Sequence, residues 1–591
     1  MKLSCLMLLV SLLMVAASPA RLLPSKTIAT VSLPSIVQLR AAGERTPLAL
    51  FWTDPSMARF AAKFKRGLQR DVLSFIDDDL KKAVGLDLGG LSGLAHGQVT
   101  VAITGNLGAP GEFRPTFLLL MDTGGRGLAL ADLLVKLRAH LIKMGYVNQT
   151  RTVRKVEFTA FEKKLGGYMT TVHIGQIGGL LIVGNHPADL EHVLDTLAGQ
   201  RPPSLLAQPR FAARERAQFH DAVAWAWLDF TIIHHLIQQN LKPGPDDVPD
   251  PLGLDTGRLL QAMGLSCLKG VSLSLRLKGE GLLGEIYLEQ PARDRRGLFK
   301  MLASRPADAS PPPFIANNVL GYTRWRRDMP ALWAQLESTL LNLSPAVKGG
   351  LDFFEGAVKA REPNFDFRRQ VIGTLGGDYL SLQLPAPAGK PDETASGLYL
   401  VESTRPALTL AALRAIMGAL AQMPAQKRMV EGRTIYSYKV GDSFVEAEKV
   451  DVHLAALGGY VAWTNHRETL EAFLRGPDLN AGLKQLRRDP ALRAAAAKVG
   501  GMNCGWFGYD NTRENLRQFF RVARDEPEAA AFSPLEELFP EGAFAMPDWL
   551  DYALLPPFKK VERYFGITVF GVTAGDQGLR LRVFQPVPAP R

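Results

Sequence analysis

The chain has 591 residues, of which 47% are hydrophobic and 21% are charged, a composition typical of globular proteins and unlike that of disordered segments. Its net charge of +11 suits anionic partners such as lipid headgroups or envelope polymers. The basic residues form no long run and no stripe with interleaved aromatic residues, so the sequence argues against nucleic-acid binding.

The N-terminus predicts a secretory signal peptide over residues 1–20. Lys2 is followed by an apolar stretch, and the small residues Ser18 and Ala20 suit a cleavage site before Arg21. The apolar stretch is shorter than the ~20 residues that a membrane anchor needs. We therefore expect export to the periplasm or the extracellular space, with no transmembrane span after cleavage.

After this segment, the first half of the chain predicts an α+β unit. Leucines at helical spacing between residues 130 and 141 predict a helix, and Asn185 is expected to cap a second one. Apolar runs and alternating residues predict strands at 99–103, 117–121, 155–161, 168–174, 180–183, 271–276 and 282–288. Hairpins outnumber strand–helix–strand crossovers, so we predict a mainly antiparallel sheet with helices packed on one face.

The second half repeats this pattern at a nearly constant spacing. The segment 172–186 matches 452–466 at an offset of 280 residues, and Trp225–Asp229 matches Trp506–Asp510 at an offset of 281. Self-similarity over this length is the signature of duplicated units. The sequence therefore predicts two tandem copies of one sheet-and-helix unit.

The repeat also predicts the domain boundaries. A proline run within 304–316 is typical of an extended spacer. Near the end of the second copy the offset grows to 296, which places an insertion near 526–560. The predicted copies are residues 21–303 and 317–591.

Two histidines recur in each copy. His173 and His453 lie on predicted strands, whereas His186 and His466 lie at predicted helix starts. Imidazoles near a helix N-terminus could bind a metal or an anion, but hydrogen-bonded strand histidines and polar helix starts are also ordinary structural features. Neither copy offers a repeated third ligand, so we predict no metal and no cofactor and keep the four histidines as candidate ligand or partner contacts.

The insertion in the second copy carries large apolar side chains, among them Phe544, Trp549, Tyr552 and Leu555. Such a surface suits an apolar ligand or a protein partner. It also suits the contact between the two copies. Of these two uses, the sequence favours the contact between the copies.

The signal peptide, the two copies and the apolar strands that end in Asp before a helix resemble a family of exported bacterial proteins known as a domain of unknown function. The resemblance implies a location in the bacterial envelope and supplies no catalytic residues. The sequence also lacks a serine-hydrolase elbow, a zinc-binding helix motif, a phosphate loop and a dinucleotide fingerprint.

We therefore predict a non-enzymatic binding or scaffold protein of the envelope. Its partner would be an envelope protein or an anionic or apolar envelope component. One alternative is a carrier of a lipid or another apolar ligand. The other is a hydrolase with an unrecognised site.

Overall fold

The structure is a computed structural model that describes most of the chain. The described residues are 18–74, 77–78, 81–82, 85, 88–105, 115–165, 168–240, 256–344, 346–385, 396–421, 423–440, 450–476, 484–525 and 548–587. Most of the predicted signal peptide and residues 526–547 of the predicted insertion therefore lie outside the described residues.

Within the described residues, twenty strands form one sheet. The strands of the first half are β1 Thr27–Leu33, β2 Val99–Thr104, β3 Thr116–Asp122, β4 Val147–Val153, β5 Val156–Leu165, β6 Tyr168–Ile177, β7 Leu180–Gly184, β8 Ala224–Asp229, β9 Gly270–Lys278 and β10 Gly281–Glu289. Those of the second half are β11 Gly321–Arg326, β12 Leu375–Leu384, β13 Ser396–Ser403, β14 Gln426–Val430, β15 Arg433–Val440, β16 Val450–Leu457, β17 Tyr460–Thr464, β18 Trp506–Asp510, β19 Thr568–Gly575 and β20 Gly578–Pro586.

Every neighbouring pair in this sheet is antiparallel. The order across it is β4-β5-β6-β7-β3-β2-β1-β8-β9-β10-β20-β19-β18-β11-β12-β13-β17-β16-β15-β14. Read from its own outer edge, the second half follows the same order as the first. The two halves meet where β10 pairs with β20, from Gly281 opposite Pro586 to Glu289 opposite Gly578. The α+β class is confirmed, and the strands of both halves belong to one continuous sheet.

Helices surround this sheet. They are α1 Pro19–Leu22, α2 Ile36–Gly43, α3 Pro47–Thr53, α4 Ala58–Leu68, α5 Leu88–Leu94, α6 Gly127–Lys143, α7 Pro187–Leu197, α8 Pro209–Arg214, α9 Phe230–Asn240, α10 Thr256–Ala262, α11 Gly297–Leu302, α12 Met329–Leu343, α13 Ala346–Lys359, α14 Phe367–Gln370, α15 Pro406–Ala421, α16 Arg467–Arg475, α17 Pro490–Lys498 and α18 Thr512–Asp525. None of these helices has the length and apolarity of a membrane-spanning segment.

The helices lie on both faces of the sheet. Side chains at alternate positions of a strand point to opposite faces. On β3, Leu118 belongs to a buried cluster with Leu190 of α7, whereas Met121 belongs to another with Leu130 of α6. The prediction that the helices pack on one face is therefore wrong.

The proline-rich segment 304–316 packs into the core of the second half. Ala309 is fully buried, and its amide donates to the carbonyl of Met502 at 2.9 Å. The Tyr322 hydroxyl donates to the Ala309 carbonyl at 2.9 Å. Ile315 is also buried. The segment that connects the two halves is thus also part of a folded core.

A buried ionic cluster ties the two central strands together. Glu285 of β10 lies opposite Arg582 of β20, and its side chain is fully buried. Its carboxylate meets Nε of Arg582 at 2.8 Å, Nε of Arg580 at 3.2 Å and the guanidinium of Arg276 at 3.9 Å. A carboxylate with no solvent contact needs such partners to remain charged. The cluster therefore links the two halves on one face of the sheet.

Candidate functional site

The opposite face of the same central strands is apolar and open to solvent. One continuous cross-strand row runs Val101–Val31–Ala226–Leu273–Ile286–Leu581, on β2, β1, β8, β9, β10 and β20. We define the open face as the side chains of this row and their same-face neighbours Ile103, Ala224, Leu275, Gly284 and Val583. All of these residues are apolar, so the face offers a ligand no side-chain hydrogen-bond partner.

The exposure of this face is high for so apolar a surface. Val31 is 56% exposed, Val101 is 47% exposed and Leu273 is 43% exposed. A hollow of about 350 Å³ lies over the row between Val31 and Leu581. Single exposed apolar side chains are common, but contiguous patches mark binding surfaces. The open face is therefore the candidate functional site.

On β9, polar and apolar residues alternate, and the apolar ones point to solvent while the polar ones are covered. Ser272 and Ser274 point to the covered side and are buried, whereas Leu273 of the same strand points outward. On β10, Glu285 is buried and Ile286 is 37% exposed. The polar side of these strands is thus the covered one. The site residues predicted from the sequence include no residue of the open face, although strict alternation in residues 271–277 was the available signal.

Each end of the open face meets a helix. At one end, Phe299 and Leu302 of α11 share a cluster with Leu288 and Leu579. At the other end, Ile36 of α2 belongs to a cluster that also contains residues of β1 and β2. These elements limit the open face along the strand direction and leave it open across the strands.

Aromatic side chains continue the same face into the second half. Phe570 lies opposite Val583, and its ring centroid is 6.0 Å from that of Trp506. Trp506 lies opposite Trp325 on the neighbouring strand, with ring centroids 5.5 Å apart. Tyr379 follows Trp325 in the same cross-strand row. The apolar surface thus extends beyond the six central strands.

A separate apolar cavity lies on the covered side of the second half. Its volume is about 670 Å³, and Phe314, Leu382, Leu398 and Phe473 contribute to its lining. In the second half, the Ile315 carbonyl accepts a hydrogen bond from the Leu486 amide, in the helical turn after α16. In the first half, the Leu23 carbonyl accepts one from the Leu205 amide, in the helical turn after α7. Leu23 therefore lies at the place that matches Ile315. Leu23 is fully buried there. The cavity belongs to the second half.

Trp549, Tyr552 and Leu555, three of the predicted apolar contacts, pack against the first half. The Trp549 ring lies 5.1 Å from that of Phe64, and the Tyr552 ring lies 6.4 Å from that of Phe60. Leu555 is buried in the same cluster. We call this group, which also contains Phe51, Phe520, Phe558 and Phe565, the joining cluster. These residues thus serve the contact between the halves, and Phe544 lies outside the described residues.

Polar contacts reinforce the joining cluster at Asp54. Its carboxylate accepts hydrogen bonds from Ser56, from the Arg563 guanidinium at 2.7 Å and from the Tyr564 hydroxyl at 2.7 Å. Burial alone would raise the pKa of Asp54, but these hydrogen bonds outweigh it and lower the pKa to about 2 from an ordinary 3.8. A carboxyl group whose pKa is lower in the folded than in the unfolded chain stabilises the fold at pH values above its unfolded-state pKa.

This pKa predicts a pH dependence of stability. We expect the contribution of Asp54 to be complete above pH ~4 and to disappear as the pH falls through ~2. Urea unfolding between these pH values should show a steeper loss of stability in the wild type than in Asp54→Asn. Equal slopes for the two proteins would contradict the assigned contacts.

The structure places the four candidate histidines inside the sheet and at helix starts. His173 and His453 are 3% and 7% exposed, and burial lowers the pKa of both, so that their imidazoles are neutral near pH 7. Nδ1 of His453 lies 2.7 Å from the Ser437 hydroxyl. His186 and His466 occupy the N-cap positions of α7 and α16.

These histidines form no evident reaction centre. No group of three metal-ligating side chains occurs within the described residues. The Ser437–His453 pair lies on β15 and β16, near an outer edge of the sheet and far from the open face. Asn185 does not cap α7 as expected; its side-chain oxygen accepts from the Phe117 amide at 2.7 Å instead. The four histidines thus lie on strands β6 and β16 and at the starts of α7 and α16, away from the open face.

No protein-family model matches the sequence, and no curated protein matches it at a significant level. Among solved structures, crystal forms III, IV and I of TP0453 are similar to part of the chain. Their sequence identities are 11%, 13% and 11%, and their TM-scores are 0.23, 0.23 and 0.22. Each covers 46% of this chain and, in the same order, 80%, 81% and 79% of the solved chain. We draw no functional conclusion from a similarity of this size.

Proposed function

We propose that the protein is an exported carrier of a lipid or of another ligand with a long alkyl chain. The observation that carries this proposal is the open face, which is wholly apolar and is partly or fully exposed across six adjacent strands. The predicted signal peptide and the net charge of +11 support a place in the bacterial envelope, beside anionic lipids. The equal strand order of the two halves supports their origin as tandem copies.

The chemistry of the open face favours an alkyl ligand over a protein partner. Protein–protein interfaces are only ~56–65% apolar and contain about one hydrogen bond per 100–200 Å². The row from Val101 to Leu581 offers no polar side chain. An alkyl chain requires no polar partner, and its binding is driven by the removal of apolar surface from water. The scaffold function predicted from sequence is therefore the second candidate.

The dimensions of the face suit a single long chain. Adjacent strands lie ~4.8 Å apart, so six strands span about 24 Å across the row. Each buried methylene contributes ~0.8 kcal/mol. A carrier should therefore prefer long chains, whereas a scaffold that binds a protein should show no such dependence.

A series of alkyl ligands tests the proposal directly. We expect the affinity for n-alkanols to rise about fourfold per added methylene until the chain fills the face. Displacement of an environment-sensitive fluorescent fatty acid from the purified protein measures it. Native mass spectrometry of protein from its own envelope should also show a bound lipid. Affinity that is independent of chain length would refute the carrier function.

A matched pair of variants locates the binding surface. Val31→Asp places a carboxylate in the middle of the open face, and burying it under an alkyl chain is strongly unfavourable. We expect the affinity for decanol to fall at least about tenfold. The control is Val147→Asp, because Val147 is a 62% exposed strand residue on the outer strand β4. An equal effect of the two substitutions would exclude the open face as the binding surface.

A further inference from the structure

A cationic pocket of about 400 Å³ lies between α10, α11 and α12. The polar groups that line it include Arg295, Arg296, Lys300, Gln335, Thr339 and Asn342. No carboxylate is among its lining residues. The lining residues thus combine two arginines, a lysine, amide side chains and a threonine around one cavity. This donor set is the one that proteins use for oxyanions such as phosphate.

Two of the three cationic side chains of this pocket, Arg296 and Lys300, lack a carboxylate partner within the part of the chain that the structure describes. Arg295 is held in place through its guanidinium, which donates to the carbonyls of Gly578 at 3.2 Å and Gln290 at 3.4 Å. Arg295 is therefore held by backbone carbonyls, whereas Arg296 and Lys300 are exposed to solvent.

The pocket and the open face share a helix. On α11, Gly297 and Lys300 line the pocket. Phe299 and Leu302 of the same helix belong to the cluster that closes one end of the open face. The helix is anchored by Arg327, whose guanidinium donates to the Lys300 carbonyl at 2.6 Å. A single short helix therefore separates an oxyanion site from an alkyl surface.

We propose that this pocket binds a phosphate group and that the group is the head of the alkyl ligand on the open face. The ligand class is then an anionic amphiphile with a phosphate ester. This inference deepens the proposed function and rests on it for the position of the alkyl chain. The oxyanion site itself rests on the pocket alone. A lipid headgroup and a free phosphate share this chemistry, and the following experiment separates them.

The test compares dodecyl phosphate with dodecanol on the full-length protein by isothermal titration calorimetry. The two probes have the same chain and differ only in the phosphate. We expect dodecyl phosphate to bind at least about tenfold more tightly, because hydrogen bonds to charged groups are the strong ones. The double variant Arg296→Gln/Lys300→Gln should lose this preference and keep its affinity for dodecanol.

The control variant removes the same charge elsewhere. Lys136→Gln/Lys143→Gln neutralises two exposed lysines of α6, and it should retain the preference for dodecyl phosphate. If the two double variants lose the preference equally, the effect is one of net charge, and the pocket is not the site. If inorganic phosphate binds as tightly as dodecyl phosphate, the site takes free phosphate, and the link to the open face is wrong. If the wild type does not bind dodecanol, the carrier function is wrong, and binding of phosphate to the pocket is still tested by inorganic phosphate.

Discussion

Replacing Glu285 with alanine is expected to destabilise the folded protein by about 3–5 kcal/mol, the usual effect of removing one partner of a buried ion pair. The substitution would leave Arg276, Arg580 and Arg582 around a site without a negative charge. Burial already lowers the pKa of Arg580, so this arginine tolerates the loss of its carboxylate poorly. Urea unfolding followed by circular dichroism measures the change.

Glu280→Ala is the matched control on the same hairpin. The Glu280 side chain is 66% exposed and pairs with Lys498, and exposed ion pairs contribute only ~0–1 kcal/mol. We expect a correspondingly small effect. If Glu285→Ala and Glu280→Ala unfold at the same urea concentration, the pairing of β10 with β20 does not depend on the ionic cluster.

Phe60→Ala is expected to remove about 3–5 kcal/mol of stability, as is typical for the truncation of a buried phenylalanine. Phe60 is 5% exposed and stacks with Trp52 at 5.7 Å and with Tyr552 at 6.4 Å. The lost side chain leaves a cavity in the joining cluster, between α4 of the first half and residues 550–565 of the second. Thermal and urea unfolding should both report the loss.

The control is Phe353→Ala on α13, where the side chain is 79% exposed. Substitution of an exposed residue usually changes stability by less than ~0.5 kcal/mol. If Phe60→Ala changes only a minor unfolding transition that precedes the main one, the joining cluster unfolds independently of the sheet. If it leaves unfolding unchanged, the contact between the halves is not a source of stability.

The local elements were predictable because their signals are local. Alternating apolar residues predicted strands at 271–276 and 282–288, and the structure has a hairpin of β9 and β10 there. Leucines at helical spacing predicted a helix between 130 and 141, which lies within α6. In each case the residues that define the pattern are neighbours in sequence, and their periodicity decides the backbone conformation.

The sheet and the site depended on contacts between distant residues. No local sequence pattern predicts that β10 pairs with β20. No local pattern predicts that helices cover both faces of the sheet. The alternation in β9 identifies two faces but does not say which one is covered. Experience with soluble proteins assigns Leu273 to the core and Ser272 to the surface, and the structure reverses this assignment. The candidate site was missed for that reason.

The large apolar residues near Trp549 also show that composition alone does not reveal which surface a side chain contacts. Their composition fitted both a ligand surface and a contact between copies, and the contact was the favoured prediction. Only the packing of Trp549 on Phe64 shows the second use. The recurring histidines were visible because they repeat in the sequence, and repetition alone does not distinguish a structural role from a functional one.

The pairing of β10 with β20 also constrains how the protein is made. When the ribosome has completed β10, the strand that will pair with it lies nearly 300 residues further along the chain. Until that strand emerges, the first half exposes an unpaired sheet edge next to an apolar face, a combination that invites aggregation. A holding chaperone, or early occupation of the face by the proposed alkyl ligand, would protect the nascent chain during this interval. Under that proposal, the ligand would assist the synthesis of the protein that binds it.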